Sequence, residues 1–212
     1  MSSMKRLLFG LCLAAGLILP LPARAADAAD FGPYIRADGG ANFVTGTHLD
    51  IDGSPGNLSL DTGFRVDGAF GYQFQPWLAV EFEGGFIQNS VRSITLNNLT
   101  ASPEGDSNLE QIPLLINVVL RYENQTEFVP YLGVGAGGVL STLKISGESD
   151  NDAVVAFQAK AGIIYKIMAA AWLDVGYKFL GTAEQNYRIG GANLRTKDVF
   201  NHFIGLSVIW TF

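Results

Sequence analysis

The feature that most constrains the fold is a two-residue alternation of apolar and polar side chains, which runs through nearly all of the chain after its amino-terminal segment. Over residues 64–74 the even positions read Phe, Val, Gly, Phe, Tyr and Phe, whereas the odd positions from 63 to 73 are small or polar. Side chains of a β-strand point alternately to two faces, whereas a helix needs apolar residues three and four positions apart. The chain is therefore predicted to be all-β.

Eight alternating runs can be counted, and each is at least as long as the roughly 9–11 residues that a tilted strand needs to cross a bilayer. They cover residues 33–45, 62–74, 78–90, 109–122, 129–145, 153–166, 170–184 and 198–212. The connections after even-numbered runs are short, whereas those after odd-numbered runs are mostly longer and polar, such as residues 46–61, 91–108 and 185–197. This layout is typical of a bacterial outer-membrane barrel, and an even strand number predicts that both termini are periplasmic.

Barrel size decides which face points inward, because a soluble barrel with an apolar interior also alternates. Eight strands enclose a lumen that is only just wide enough for side chains to fill it. The bulky apolar set would overfill that lumen, whereas the other set is interleaved with glycine and serine. An outward apolar belt is tolerable only in lipid. The sequence therefore predicts an eight-stranded antiparallel up-and-down transmembrane β-barrel.

Charged residues of both signs fall on the predicted inward face, five basic and five acidic. They are Arg36, Arg65, Arg121, Lys160, Lys178, Asp38, Asp67, Glu81, Glu83 and Asp174. Buried ions are costly unless they are paired, so we expect ion pairs across the barrel. One interpretation is a polar core that fixes strand register, and the alternative is a charged filter that passes small solutes. The polar core is favoured because eight strands leave little continuous void.

The amino-terminal segment has the pattern of a cleaved signal peptide. Two basic residues precede an apolar run over residues 7–21, and an Ala-Arg-Ala sequence ends at Ala25. Small residues at these two positions are what a signal peptidase reads, so we expect residues 1–25 to be removed. The alternative, a membrane helix, is disfavoured because the run is short and two prolines interrupt it. The barrel domain is then residues 26–212.

Cleavage changes both charge and redox chemistry. The mature chain keeps 11 basic residues against 20 acidic residues, a net charge of −9, and it loses Cys12, the single cysteine. Nucleic acid is therefore not expected as a partner, because its binding depends on clustered lysine and arginine side chains. Neither a disulfide nor a thiolate metal site is expected.

The last ten residues alternate strictly and end on an aromatic ring. Their bulky face carries Ile204, Leu206, Val208, Trp210 and Phe212. In a closed barrel this strand would hydrogen-bond to the first strand, so its end would be held. A final strand that ends in Phe, with an aromatic residue two positions earlier, resembles the C-terminal signal read by the barrel assembly machinery of Gram-negative bacteria.

Two internal strands carry a second resemblance. The stretch VPYLGVGAGGV, residues 129–139, is similar to the Pro-Tyr-x-Gly-x-Gly-x-Gly strand of the OmpA-like transmembrane-barrel superfamily, and IPLLINVVLRY is similar to the strand before it. That superfamily includes OmpA, OmpX, the opacity proteins and many small surface-antigen porins. No OmpA-type peptidoglycan-binding domain is expected after Phe212, so the resemblance does not imply a role in anchoring the cell wall.

Enzymatic chemistry has weak support in the sequence. The lipid A deacylase family uses a His-x-Ser pair with an acidic partner, but no serine stands two positions after His48 or His202. The stretch DIDGS, residues 50–54, matches the start of a calcium loop, yet Pro55 occupies the glycine position and Asp61 replaces the bidentate glutamate. We interpret this stretch as a turn. No catalytic residue, metal ligand or cofactor is assigned.

These observations predict a non-enzymatic outer-membrane barrel that acts in envelope integrity or surface interaction through long extracellular loops. The first alternative is a narrow porin that passes small solutes through a charged lumen, and the second is a lipid-modifying outer-membrane enzyme. The expected partners are outer-membrane lipids and lipopolysaccharide, the barrel assembly machinery during biogenesis, and an extracellular ligand bound by the loops.

Overall fold

A computed structural model describes residues 32–96, 99–103, 105–122, 124, 126–168, 170–197 and 199–212. The expected signal peptide, residues 1–25, lies outside the described residues. The strands are β1 (Gly32–Thr45), β2 (His48–Ile51), β3 (Ser54–Leu60), β4 (Gly63–Gln75), β5 (Leu78–Leu96), β6 (Leu99–Ala101), β7 (Asn108–Arg121), β8 (Phe128–Ile145), β9 (Glu148–Lys166), β10 (Ala171–Thr182), β11 (Gln185–Ile189), β12 (Ala192–Lys197) and β13 (Phe200–Thr211). In the part of the chain that is described, no helix is long and apolar enough to cross a membrane.

Eight of these strands form a closed antiparallel ring in the order β1-β4-β5-β7-β8-β9-β10-β13. The ring closes between the first and last strands, whose register runs from Tyr34 opposite Thr211 to Thr45 opposite Phe200. The predicted eight-stranded antiparallel barrel is confirmed. The predicted runs match these strands closely, although β5 continues to Leu96 and β9 already begins at Glu148.

The alternation places bulky apolar side chains on the outer face of the barrel and polar side chains on the inner face, as the small lumen requires. Bulky apolar side chains point outward, and Phe70, Ile116 and Leu206 keep 56–64% of their surface accessible. Polar side chains of the same strands, such as Arg65 and Asn117, are fully buried inside. An exposed apolar belt around a polar interior is stable when the outer face contacts acyl chains.

The polar connections between barrel strands differ from the expected loops, because most of their residues form strands. Strands β11, β12, β2 and β3 pair in that order and join the extended end of β5, which also carries β6. We call this second sheet the cap. Two-residue turns at Asp52-Gly53 and Gly190-Gly191 connect its hairpins, and all four residues have φ between 48° and 87°. Glycine and Asp tolerate this left-handed conformation, which two-residue hairpin turns need.

The cap has an apolar core of its own. Its buried members come from the cap strands, from the extended ends of β5, β7 and β8, and from the connection before β13; they are Leu49, Leu58, Val91, Leu109, Leu143, Tyr187, Leu194 and Val199. Burial raises the pKa of the Tyr187 hydroxyl, so this group remains a donor and hydrogen-bonds to Ser141 Oγ at 2.7 Å. The cap therefore packs over one end of the barrel, opposite the end that holds Gly32 and Thr211.

A filled barrel interior as the candidate functional site

The barrel interior consists of stacked layers of side chains. The layer nearest Gly32 and Thr211 is apolar and contains Tyr34, Ala79, Val119, Tyr131, Ile164 and Ile209. The middle layer is ionic. A second apolar layer follows toward the cap and contains Ile87, Leu115, Val139, Ala156 and Leu180. Above it, amides from four strands hydrogen-bond in a chain, with Asn42 donating to Asn89 and Asn201, and Asn201 donating to Gln111.

Lys178 is at the centre of the ionic layer. Its Nζ lies 2.8 Å from an oxygen of Asp67, 2.9 Å from Glu83 and 3.2 Å from Asp38. Arg65 bridges two of the same carboxylates, with Nε 2.7 Å from Asp67 and Nη2 2.9 Å from Glu83. These side chains are at most 1% exposed, so their charges are balanced by one another rather than by solvent.

Arg36 forms the second part of the layer. Its Nε donates to Asp38 Oδ1 at 2.8 Å, and its Nη2 donates to Ser207 Oγ at 2.9 Å and to the Tyr131 hydroxyl at 3.1 Å. It also pairs with Asp174, which accepts a hydrogen bond from Tyr131 at 2.9 Å. Asp38 contacts both Arg36 and Lys178, so the two parts are one connected network.

Lys160 completes the network on the side of the layer that faces away from the cap. Its ammonium pairs with Glu81 and lies 3.5 Å from Glu83, while the Tyr34 hydroxyl donates to Glu81 at 2.8 Å. The network therefore holds four basic and five acidic side chains within one layer of the barrel.

Nine of the ten charged residues predicted to face inward lie in this buried network. Arg121 does not join it. This residue is half-buried at the end of the barrel opposite the cap, where its guanidinium hydrogen-bonds to Gln73 and lies 5.0 Å from the centre of the Tyr34 ring.

Neutral polar residues also belong to the layer, and the sequence analysis missed them. Gln158 accepts from Arg65 Nη2 at 2.8 Å and donates to Asn117 Oδ1 at 3.0 Å, and Asn117 donates to Glu83 at 3.1 Å. The two-residue alternation could have identified Gln158, because it is two positions from Lys160 and therefore lies on the same face of the strand.

Inward glycines provide the space that the network occupies. A Cβ atom on Gly162 would stand 2.7 Å from Asp174 Oδ1 and 2.7 Å from the Tyr131 ring. At Gly135 it would stand 2.0 Å from Asn117 Oδ1. Interleaved glycines and long charged side chains therefore fill the lumen together, without overpacking it.

The histidines and the acidic cap residues lie outside the barrel interior. His48 is exposed in β2, and His202 faces outward on β13, where Nδ1 is 2.7 Å from the Tyr177 hydroxyl and Nε2 is 2.9 Å from Thr45 Oγ1. Asp50 accepts a hydrogen bond from the Gly53 N–H at 2.8 Å, as expected of a turn. Within the described residues, no three His, Cys, Asp or Glu side chains are arranged to hold a metal ion.

The terminal strand is held along its length by β1 and β10. The five residues that were predicted as an assembly signal, Ile204, Leu206, Val208, Trp210 and Phe212, all face outward and are 44–71% exposed. The Phe212 N–H donates to the Pro33 carbonyl at 3.3 Å, so backbone pairing reaches the last residue.

Comparison with solved structures gives the same architecture. The chain is similar to Neisserial surface protein A, with 17% identity, a TM-score of 0.59, and coverage of 85% of this chain and 97% of that chain. OprG from Pseudomonas aeruginosa has 13% identity and a TM-score of 0.64, with 85% and 96% covered. AlkL, solved in DMPC lipid bilayers, has 18% identity and a TM-score of 0.54, with 92% and 97% covered. At these identities the similarity shows the fold.

No curated protein sequence matches the chain. A family profile does, and it is described as "Outer membrane protein beta-barrel domain" and covers residues 11–212. The resemblance to the OmpA-like superfamily is confirmed by this match and by the small barrels that share the fold. The chain therefore belongs to the outer-membrane β-barrel family, as a small barrel of the OmpA/OmpX-like type located in the outer membrane.

Proposed function

We propose that this protein is a non-enzymatic, non-conducting barrel that supports the envelope and presents the cap as its interaction surface outside the cell. The filled interior carries the proposal. Two apolar layers enclose a buried layer of ion pairs, and the cap core packs above them. In the proposed orientation both termini are periplasmic, and the barrel assembly machinery reads the outward face of β13 during biogenesis.

A solute filter, the alternative role for the inward charges, has less support. A conducting filter needs side chains that offer ions weak, replaceable contacts along a continuous path. Here Lys178 already contacts three carboxylates, and its side chain is 1% exposed. A passing ion would have to displace these partners and also cross the layer that contains Leu115 and Leu180, both fully buried.

The cap suits an interaction surface because its free edge is protected against non-specific strand pairing. Carboxylates of Asp152, Asp150 and Glu148 on β9 accept hydrogen bonds from the N–H groups of residues 186, 188 and 190, at 2.6–2.8 Å. Covering the unpaired N–H groups of an edge strand is a common means of preventing sheet extension. Partner contacts are therefore assigned to side chains of the cap rather than to its β11 edge.

A lipid-modifying activity has one observation in its favour, the 2.9 Å contact between Thr45 Oγ1 and His202 Nε2. A nucleophile next to a histidine is the core of a hydrolytic triad, whose third member orients the ring. The third member here is Tyr177 rather than a carboxylate that would stabilise the imidazolium. The enzyme is therefore the weaker candidate.

Deletion of the gene in its host tests the proposal. We expect faster uptake of a hydrophobic fluorescent dye, unchanged uptake of small hydrophilic solutes, and an unchanged mass spectrum of lipid A. Wild-type protein should restore the barrier. A variant with glutamine at Arg92, Arg188 and Arg195, which are exposed on the cap, should not restore it, whereas Lys166→Gln at the opposite end should.

Two outcomes would contradict the proposal. Slower solute uptake with an intact dye barrier would indicate a porin. Altered lipid A acylation that returns with wild-type protein but not with His202→Ala would indicate an enzyme.

A further inference from the structure

A polar cluster lies on the outer face of the barrel, at the edge of the apolar belt nearest the cap. His202 on β13 hydrogen-bonds diagonally to Thr45 on β1 and to Tyr177 on β10, so the cluster crosses both sides of the closing strand. Phe43 and Phe179 are directly opposite His202 on the neighbouring strands. A polar group in such a position needs a polar partner, because acyl chains offer none.

The cluster lies at the level of the lipid headgroups of the outer leaflet in the proposed orientation. Ten residues separate His202 from Phe212. At about 3.3 Å per residue and a tilt of about 45°, that distance spans roughly 23 Å, close to the ~25 Å height of the apolar band of such barrels. His202 is therefore at the upper boundary of the band when Phe212 is at the lower one.

Hydrogen-bond counting shows that the cluster has one donor more than it uses. Two hydroxyl groups and a neutral imidazole carry three donor hydrogens, and the cluster contains two internal hydrogen bonds. In one tautomer the spare hydrogen is on Thr45, and in the other it is on Tyr177. Among the described residues neither hydroxyl has a further hydrogen-bond partner, and both side chains are exposed.

The surroundings favour an anionic acceptor attached to acyl chains. Lys197 ends β12 three positions before β13 begins; its side chain is about half exposed, and its ammonium is 3.9 Å from the Glu184 carboxylate. The ring of Phe179 packs edge-on against His202 at 5.4 Å and stacks on Phe200 at 5.5 Å. Charge-assisted hydrogen bonds to phosphate are about twice as strong as neutral ones, so a phosphate is the best acceptor for the spare donor.

We propose that Thr45, His202 and Tyr177 form an external binding site for the phosphate group of an outer-leaflet lipid, with its acyl chains against Phe43 and Phe179. The spare hydroxyl hydrogen donates to a phosphate oxygen, and Lys197 supplies positive charge from above. The site does not depend on whether the interior conducts, so the inference goes beyond the proposed function and fails independently of it.

Histidine NMR tests this site directly, because the chain contains only two histidines. In a His48→Gln background, the imidazole signals of isotope-labelled protein in dodecyl maltoside micelles report on His202 alone. Titration with bisphosphorylated lipid A should shift these signals in a saturable way. Dephosphorylated lipid A and inorganic phosphate at the same concentrations should not.

Variants identify the hydroxyl groups that make the site. A Thr45→Val, Tyr177→Phe double variant conserves side-chain volume and should bind phosphorylated lipid A at least tenfold more weakly. Tyr122→Phe, an equally exposed tyrosine at the opposite end of the barrel, should bind normally. Heat-modifiable gel migration checks that each variant is folded. An equal response to dephosphorylated lipid A would overturn the phosphate assignment, an equal response to inorganic phosphate would overturn the lipid assignment, and unaltered binding by the double variant would overturn the site.

Discussion

At the residue scale, each buried charge of the interior is shared among several partners rather than held in a single pair. Arg36 and Lys178 both contact Asp38, and Arg65 and Lys178 both contact Asp67 and Glu83. Removal of one partner from a buried ion pair is strongly destabilising because it leaves an uncompensated charge, whereas an exposed pair contributes little. The same chemical substitution should therefore have very different effects at different positions.

Lys178→Met should lower the free energy of unfolding by about 3–5 kcal/mol, because it leaves three carboxylates without their shared cation. The matched control is Lys144→Met. Lys144 pairs with Glu110 at 2.9 Å, but the two side chains are 39% and 24% exposed, so we expect a change below about 1 kcal/mol. Urea titration of tryptophan fluorescence in lipid vesicles measures both. Similar losses in the two variants would show that the ionic layer is not a special source of stability.

Inward glycines are the second determinant at this scale. Gly135→Ala places a methyl group 2.0 Å from Asn117 Oδ1 and 2.7 Å from the Ile116 carbonyl oxygen, and Asn117 is held by Glu83 and Gln158. We expect a loss of about 1–3 kcal/mol from overpacking. Gly68→Ala, whose nearest neighbour would be 4.0 Å away, should change stability by less than about 0.5 kcal/mol. Equal effects in the same urea titration would contradict a filled lumen.

At the element scale, β13 is the strand on which closure depends. Its backbone pairs with β1 and β10, while its side chains divide between the lumen and the belt, with Ile209 buried and Trp210 exposed. The outward side chains contribute little to internal packing. A role for them in recognition during assembly can therefore be separated from a role in stability.

Phe212→Ala should reduce the amount of folded barrel in the outer membrane of cells several-fold while leaving the urea stability of refolded protein within about 0.5 kcal/mol. The Phe212 ring is 71% exposed, so its loss leaves no internal cavity. Leu173→Ala, on the outward face of β10, serves as the control and should assemble normally. Heat-modifiable migration of membrane fractions provides the measurement. Wild-type levels of the Phe212 variant would remove the final aromatic ring from the assembly signal.

At the scale of the whole molecule, two physical constraints made the barrel predictable from sequence. Period-two alternation specified the strands, and the small lumen of eight strands specified which face is outside. The odd or even position of a residue along its strand also assigned the charged residues to one face. This assignment requires no knowledge of which strands pair. The specific ion pairs could not be predicted, because Lys178 reaches Asp67 and Glu83 only through the register of the closed ring.

A local property of the sequence explains why the cap was not predicted. Its strands are short, with four residues in β2 and five in β11, and turn residues such as Asp52, Gly53, Gly190 and Gly191 interrupt their alternation. Such stretches have the composition of loops, and only pairing with the long β5 strand completes the sheet. The neutral members of the ionic layer were missed for a different reason, since an amide such as Gln158 carries no charge to attract attention.

Single-channel recording in planar lipid bilayers tests the central claim, that stacked side chains close the lumen, most directly. Purified mature protein, shown by heat-modifiable migration to be folded and inserted, should give no unit conductance steps in concentrated potassium chloride. A porin of known conductance in the same membrane serves as the positive control. Reproducible unit steps that disappear in a Glu81→Gln or Arg121→Gln variant would contradict the claim and establish a charged channel.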